Sequence, residues 1–479
     1  MAYQTVPIYV SQPNQDVSNS AIKNQMRELR DMYVKQSEDG LMIKKRFGYL
    51  QKADTGQNTK GDGLYWFEAL QAFIVVCNAK VFVMRANYTL TDITGTDLLV
   101  EGALCRFSEK VYAGRTYLFI CNGGNLIYTD DLGSTTQKVS GINFDVGNVT
   151  NLNNFMIINQ IDSNLVYYNS GDPRTWSIVN NFQATGNADK VDTLKVVGSN
   201  LYIWGKRSVE VWAINLNGII PLSKQRETGI TEGVISPNSV VEIEKSQIFL
   251  DEHKKIKVLS GSKVSSLSND YSSELENIVN AQDSEAFYMQ IDGKRFYVIN
   301  FNYANRSFLV DLDLNVISEL SYFDEVQGTY NRFRGNCYAY ASILDKHVML
   351  DYENGLIYEL STDYATDNNS SIRAFIETGN IDHGTPSFKR SKNLSAIIER
   401  PVSQNAEYKI QIQHRDNGSR RYTSLKNISL KNTLADGDDV VRLIGQGGRY
   451  KRRQYKAIFP DPTSITISSI TEEVEIESR

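Results

Sequence analysis

Any reaction run by this chain would depend on its acids, bases, imidazoles and thiols, so their spacing is read first. Four histidines, His253, His347, His383 and His414, fall without the HxxxH or HExxH spacing that places two imidazoles on one metal. Four cysteines, Cys77, Cys105, Cys121 and Cys337, form no CxxC pair. Cys77 and Cys121 sit inside apolar runs and read as buried free thiols. No metal and no cofactor is expected. Thr129-Asp130-Asp131-Leu132-Gly133-Ser134-Thr135 follows the Asp-box pattern, and Ser170-Gly171-Asp172 is a poorer copy of it. The Asp side chain of such a turn bonds to backbone, which folds a loop and performs no reaction. A sialidase-type site would also need an arginine cluster for a carboxylate and a tyrosine nucleophile paired with a glutamate. Both residue types are plentiful here, but no spacing joins them, so the chain is expected not to be an enzyme.

The other charged candidates gather near the C-terminus. Arg449, Lys451, Arg452 and Arg453 follow Lys389, Arg390, Lys392, Arg420 and Arg421, and an acidic tail carries Glu472, Glu473, Glu475 and Glu477. Alternate residues of a strand share a side, so Lys451 and Arg453 can meet the acids of a neighbouring copy. Arg449, Lys451, Arg453, Glu473 and Glu475 are the candidate subunit-interface residues. A solvated face or a phosphate contact is the alternative for the basic run, and a frayed solvated end for the tail. The balance of 51 Lys+Arg against 56 Asp+Glu, formally −5, argues against a general DNA-binding domain.

These residues need a scaffold. A chain of 479 residues is too long for one ordinary core. With 27 Tyr, 19 Phe and 9 Pro, plus short β-branched runs, the composition favours strands. Apolar strand pairs recur with turns between them, among them 72–77 with 80–84, 116–121 with 126–129, 191–197 with 201–204 and 347–351 with 356–360. They begin about 40 residues apart, close to the blade length of known propellers. The expected organisation is an all-β chain: an N-terminal arm over 1–58, a β-propeller of about six blades over 59–365, and a sandwich-like β domain over 366–479. Residues 18–36, with Ile22, Met26, Leu29 and Tyr33, are expected to be a helical arm, and residues 270–282 a second helix. No apolar run approaches the roughly 18 residues that span a bilayer, and the start lacks the pattern of a secretory leader. Synthesis in a cytoplasm and no membrane insertion are the expectations.

One segment narrows the reading further. Tyr168-Asn169-Ser170-Gly171-Asp172-Pro173-Arg174-Thr175-Trp176 is a turn that stops a short apolar strand, and its Trp176 is sized to plug a gap between sheets. A strand pair carrying Tyr202, Trp204 and Trp212 follows. Asp172, Pro173 and Trp176 with Ile203-Trp204-Gly205 and Val209-Glu210-Val211-Trp212 resemble the tail hub proteins of short-tailed bacteriophages, also called nozzles or packaged-DNA stabilisation proteins. Leu29-Arg30-Asp31-Met32-Tyr33-Val34 with Lys44-Lys45-Arg46-Phe47-Gly48-Tyr49-Leu50 is similar to the family's opening, with Phe47 where the family usually places Pro. His414-Arg415-Asp416-Asn417-Gly418-Ser419 and the 445–455 segment resemble its closing domain. The resemblance implies a virion structural protein assembled as a homo-hexamer below the portal and adaptor ring. It also implies tail fibres or tailspikes and a plug or needle protein as partners, and double-stranded DNA passing through without sequence specificity. A receptor-binding or glycan-cleaving tail protein with a sialidase-like propeller is the alternative.

Overall fold

The structure, a computed structural model, describes residues 3–8, 26–37, 40–184, 190–218, 220–225, 230–267, 272–399, 408–430, 440–444 and 448–477. Blade 1 shows why the sequence folds as it does. Ala72–Cys77 is apolar at every position and buried on both faces, as a strand sandwiched between neighbouring sheets must be. It pairs with Gly61–Phe67 on one side and Lys80–Met84 on the other, and Leu90–Asp92 completes the sheet. Asn78 and Ala79, at φ 54° and 60°, make the tight turn that matches the twist of a hairpin.

The same up-and-down unit recurs around the ring. Blade 2 starts at Arg106–Tyr112, blade 3 at Val146–Leu152, blade 4 at Thr193–Val197, blade 5 at Val241–Ile243 and blade 6 at Glu285–Ile291. Blade 7 holds Gly335–Ala341, Lys346–Asp351 and Leu356–Ser361, and takes its fourth, outer strand, Gly48–Asp54, from near the N-terminus. Among the described residues there are thus seven blades, where sequence spacing indicated about six. The division assumed that each blade is contiguous, whereas the last one borrows a strand from the expected arm. Between adjacent blades lies an apolar layer, such as Leu118, Ile120 and Ile127 on Ile74, Val76 and Val81. Val348, Leu350 and Ile357 of blade 7 meet Phe73, Val75 and Phe82 of blade 1, which closes the ring. Each such side chain contributes about 1.5–3 kcal/mol by leaving water.

A second body has two sheets with a shared core. One holds Met32–Ser37, Gly40–Lys45, Thr466–Ile476, Lys389–Glu399 and Val440–Ile444. The other continues from the outer strand of blade 6, Val316–Asp324, through Met26–Arg30, Ala374–Thr378, Arg453–Phe459, Lys409–Asp416 and Lys426–Ser429. Val34, Ile43, Leu394 and Ile398 of the first sheet face Leu29, Ile376, Ile412 and Phe459 of the second, a sandwich-like arrangement. The described part of the expected helical arm is therefore two strands, and residues 18–25 lie outside the described residues. Asp31, at φ 56°, breaks any helix there. Leu29 enters the sandwich core while Tyr33 enters the core between blades 6 and 7, so one apolar stripe serves two cores. Among the described residues of 270–282, Ser272–Glu276 is the α-helical part. Leu275 and Ile278 are buried, whereas Val279 is exposed.

The two bodies meet at Arg46. Its five N–H donors all find acceptors: Nε to Asp31 Oδ1 at 2.7 Å, Nη1 to Asp367 Oδ1 at 2.8 Å and the Phe47 carbonyl at 3.0 Å, and Nη2 to the Ser321 carbonyl at 2.7 Å and Asp367 Oδ2 at 2.5 Å. Asp31 Oδ1 also accepts from the Ser321 backbone N–H at 2.8 Å. Gly48 next to it leaves no room for a side chain, since a Cβ would stand 2.1 Å from the Thr366 carbonyl oxygen. Arg46→Met leaves two buried carboxylates without the cation bonded to them. It is expected to cost about 3 kcal/mol or more, read as a lowered denaturation midpoint.

Candidate interaction surfaces and axial channel

The three motif tryptophans hold three successive blade joints. Trp176 is buried between blades 2 and 3, its indole N–H donating to the Pro173 carbonyl at 2.8 Å. Trp212 lies between blades 3 and 4 against Phe182, ring centroids 4.4 Å apart, and donates to Glu210 Oε2 at 2.8 Å. Trp204, fully buried between blades 4 and 5, contacts Phe249 and donates to Gln247 Oε1 at 2.7 Å. Asp172 closes its turn by accepting from Arg174, at the backbone N–H (3.0 Å), Nε (2.9 Å) and Nη2 (2.7 Å). In the Asp-box, Asp130 Oδ1 accepts the Leu132 and Ser134 N–H groups, both at 3.2 Å, as a loop-folding role requires.

The C-terminal candidates separate into two sets. Arg453 is fully buried in a two-pronged pair with Asp416, at 2.7 and 2.9 Å, over the Tyr450 ring. It offers no surface to a neighbour, because the alternation that exposes Lys451 on its short turn does not continue into Arg453–Phe459. The acidic tail is no frayed end. Thr466–Ile476 is a central strand whose Glu472 and Val474 point inward, with Glu473 and Glu475 on the other side. Glu475 pairs with Lys392 at 2.6 Å, and Glu477 with Arg449 at 2.6 Å and Arg390 at 3.0 Å. Arg449 and Glu475 are thus already engaged within the chain, Glu473 is half-buried, and Lys451 remains exposed beside Phe388.

Sequence reasoning missed two polar clusters. In the second body Glu472 is fully buried, accepting from Tyr450 at 3.0 Å and from Tyr455, and lies 3.1 Å from His383 Nε2. In the propeller, polar residues near the starts of the innermost strands converge on the axis. Arg106 of blade 2 donates to Asn238 Oδ1 and, at 3.4 Å, to the Pro237 carbonyl, just ahead of blade 5. Lys60 pairs with Glu285 of blade 6. Asn148 Nδ2 donates to Thr193 Oγ1 at 2.7 Å, and Asn159 Nδ2 to the Val191 carbonyl at 3.2 Å. A cavity of about 320 Å³ opens there, lined by Arg106, Asn148, Asn159, Asn238 and Glu285 among others. The signal in the sequence was a polar residue at or near the start of the innermost strand in several blades, such as Arg106, Asn148, Thr193 and Glu285, which hairpin spacing alone does not reveal. Asp62 also stands at an inner-strand start. It is fully buried, and burial pushes its carboxyl from the ordinary 3.8 up to about 6, against the backbone N–H groups that hold it down.

A second cavity, of about 270 Å³, lies beside the Asp-box between Arg115, Tyr117, Tyr128, Gln137 and Arg174. Arg174 stacks 5.2 Å from the Tyr117 ring centroid, and Arg115 pairs with Asp130 at 2.9 Å.

No family model matches the chain, and no curated protein matches it. Among solved structures it is similar to BamB from Moraxella catarrhalis, at 10% identity and a TM-score of 0.39, over 70% of this chain and 94% of that one. It is also similar to the N-terminal domain of Nup159, at 11% identity and a TM-score of 0.38, over 69% of this chain and 98% of that one. The propeller architecture is carried by the blade topology described above.

Two outcomes follow from these placements. Lys451→Glu is expected to change stability by no more than about 0.5 kcal/mol, whereas Arg453→Met, which strands Asp416, costs about 2 kcal/mol or more; urea titration of both separates them. For Asp62 the folded carboxyl holds its proton to higher pH than the unfolded one. The protonated form stabilises the fold below pH 3.8, and that contribution is lost as pH rises from there through about 6. Asp62→Asn should therefore gain about 2 kcal/mol relative to the parent at neutral pH and nothing near pH 3.5, by paired unfolding curves.

Proposed function

We propose that this chain is the hub, or nozzle, of a short phage tail, forming a six-fold ring below the portal and adaptor and holding packaged DNA until ejection. The observation that carries the reading is where the residues of the resemblance sit. Trp176, Trp212 and Trp204 hold successive blade joints, and the opening motif supplies Asp31 and Arg46, which join propeller to sandwich. The segments that resemble the family are the ones on which this architecture rests.

The passage for DNA in this reading is the axis of the ring of copies and not the axis of a propeller. Within one propeller, Arg106 of blade 2 bonds to Asn238 beside blade 5, so side chains meet across the ring and leave no bore for a duplex. A wall of mixed charge suits a conduit, because each lysine or arginine on a phosphate would retard the moving duplex. The near-balanced composition, formally −5, supports a passive channel. Fibres or tailspikes would dock outside, and a plug or needle protein below would complete closure.

The Arg115, Tyr117, Tyr128 and Arg174 cavity favours a second reading, a receptor-binding tail protein. Guanidinium groups bind carboxylates, and tyrosine faces can stack on ring ligands. Removing the chain from its phage and imaging the particles distinguishes the two. Capsids that fill and then leak, with tails truncated below the adaptor, are the expected result. Full, stable particles with intact tails that fail to adsorb would overturn the hub reading in favour of the receptor-binding one.

A further inference from the structure

The axial cavity of the propeller has a chemistry that a conduit does not require. Arg106 is half-buried, and among the described residues it forms no ion pair; its hydrogen-bond partners are the neutral Asn238 side chain and the Pro237 carbonyl, with Glu285 the nearby acid that acts on it. Lys195, on the innermost strand of blade 4, lies in the same field and has Glu242 as its charged counterpart, but makes no ion pair within bonding distance among the described residues. Two half-buried cations near one another repel, and Glu285 and Glu242 answer them only from a distance, so a bound anion would find them favourable. Burial lowers the proton affinity of both.

The same cavity also holds unused acceptors. Asn159 Oδ1 and Glu285 Oε2 are buried with no hydrogen-bond partner. The Asn159 amide orientation follows from its Nδ2 donating to Val191, and Glu285 gives its other oxygen to Lys60. A bare inorganic anion would answer Arg106 but bring little to these oxygens. A ligand that accepts on one side and donates on the other satisfies all of them.

We propose that the axial cavity binds a small hydroxylated carboxylate of the acidic-monosaccharide class, its carboxylate on Arg106 and its hydroxyls donating to Asn159 Oδ1 and Glu285 Oε2. The volume of about 320 Å³ falls at the lower end of small-molecule sites. A guanidinium matches a carboxylate with two parallel donors, and Asn238 holds it in place from behind. The proposal does not depend on the tail-hub reading, since it rests on the axis of a single propeller.

The test is calorimetric titration of the full chain with glucuronate, glucose, acetate and inorganic phosphate, each also read as a shift in melting temperature. Glucuronate should bind at millimolar concentration or below, with glucose, acetate and phosphate each at least about tenfold weaker. Arg106→Gln should weaken glucuronate about tenfold or more while leaving the glucose response unchanged. Failure of glucuronate to bind the parent protein overturns the proposal, and needs no variant to fold. Equal binding of acetate or phosphate overturns it as well, leaving a simple anion site. Equal binding of glucose would remove the role of Arg106.

Discussion

Arg46 is the constraint on which the two bodies depend. A buried guanidinium is tolerable only when all five donors are met, and here, besides the adjacent Phe47 carbonyl, the acceptors come from three distant places in the chain: the Asp31 bend, the end of blade 6 at Ser321, and Asp367 just after blade 7. Each element must be in place before Arg46 can be desolvated. Lys45 beside it donates to the Asp461 carbonyl at 2.6 Å, and burial lowers its affinity for a proton to about 8, so the neighbourhood accepts one strong cation and strains a second. Immediately after this pair the chain enters the outer strand of blade 7. Ring closure and docking of the sandwich are therefore consequences of one short segment.

This arrangement explains why the N-terminal region is not an independent arm. Met26–Arg30 extends the sheet of blade 6 into the second body, Met32–Ser37 enters the opposite sheet, and Gly48–Asp54 closes the propeller. Arg30 reinforces the first crossing, with Nη2 2.8 Å from Glu319 Oε2 on the blade 6 strand. A propeller closed by its own distant segment has short, protected edges, which is how an aromatic-rich chain avoids pairing with other chains. It also gives the propeller and the sandwich a continuous hydrogen-bonded path.

Much of the architecture was legible in the sequence for a simple reason: strands buried on both faces read as apolar runs, and tight turns demand particular residues. Ala72–Cys77, its Asn78-Ala79 turn and Lys80–Met84 are recognisable from composition alone. Trp176 was legible as a plug because a large ring after a turn has few other places to go. The cysteines expected to be buried free thiols are all buried and free. Less visible was anything that depends on partners far apart in the chain. The spacing of Leu29 and Tyr33 fits a helix as well as a bent strand pair, and only the two cores they enter decide between them.

The sequence by itself determined the strand-forming runs, the turns between them, the change of character after residue 365 and the near-neutral charge, because each is set by local side-chain chemistry. Tertiary structure alone decided the seventh blade, the burial of Arg453, the engagement of the acidic strand and the convergence of Arg106, Asn159 and Glu285 on one axis. Those features join residues tens to hundreds of positions apart, and whether a charge faces water, a partner or an empty cavity is settled only when the sheets close.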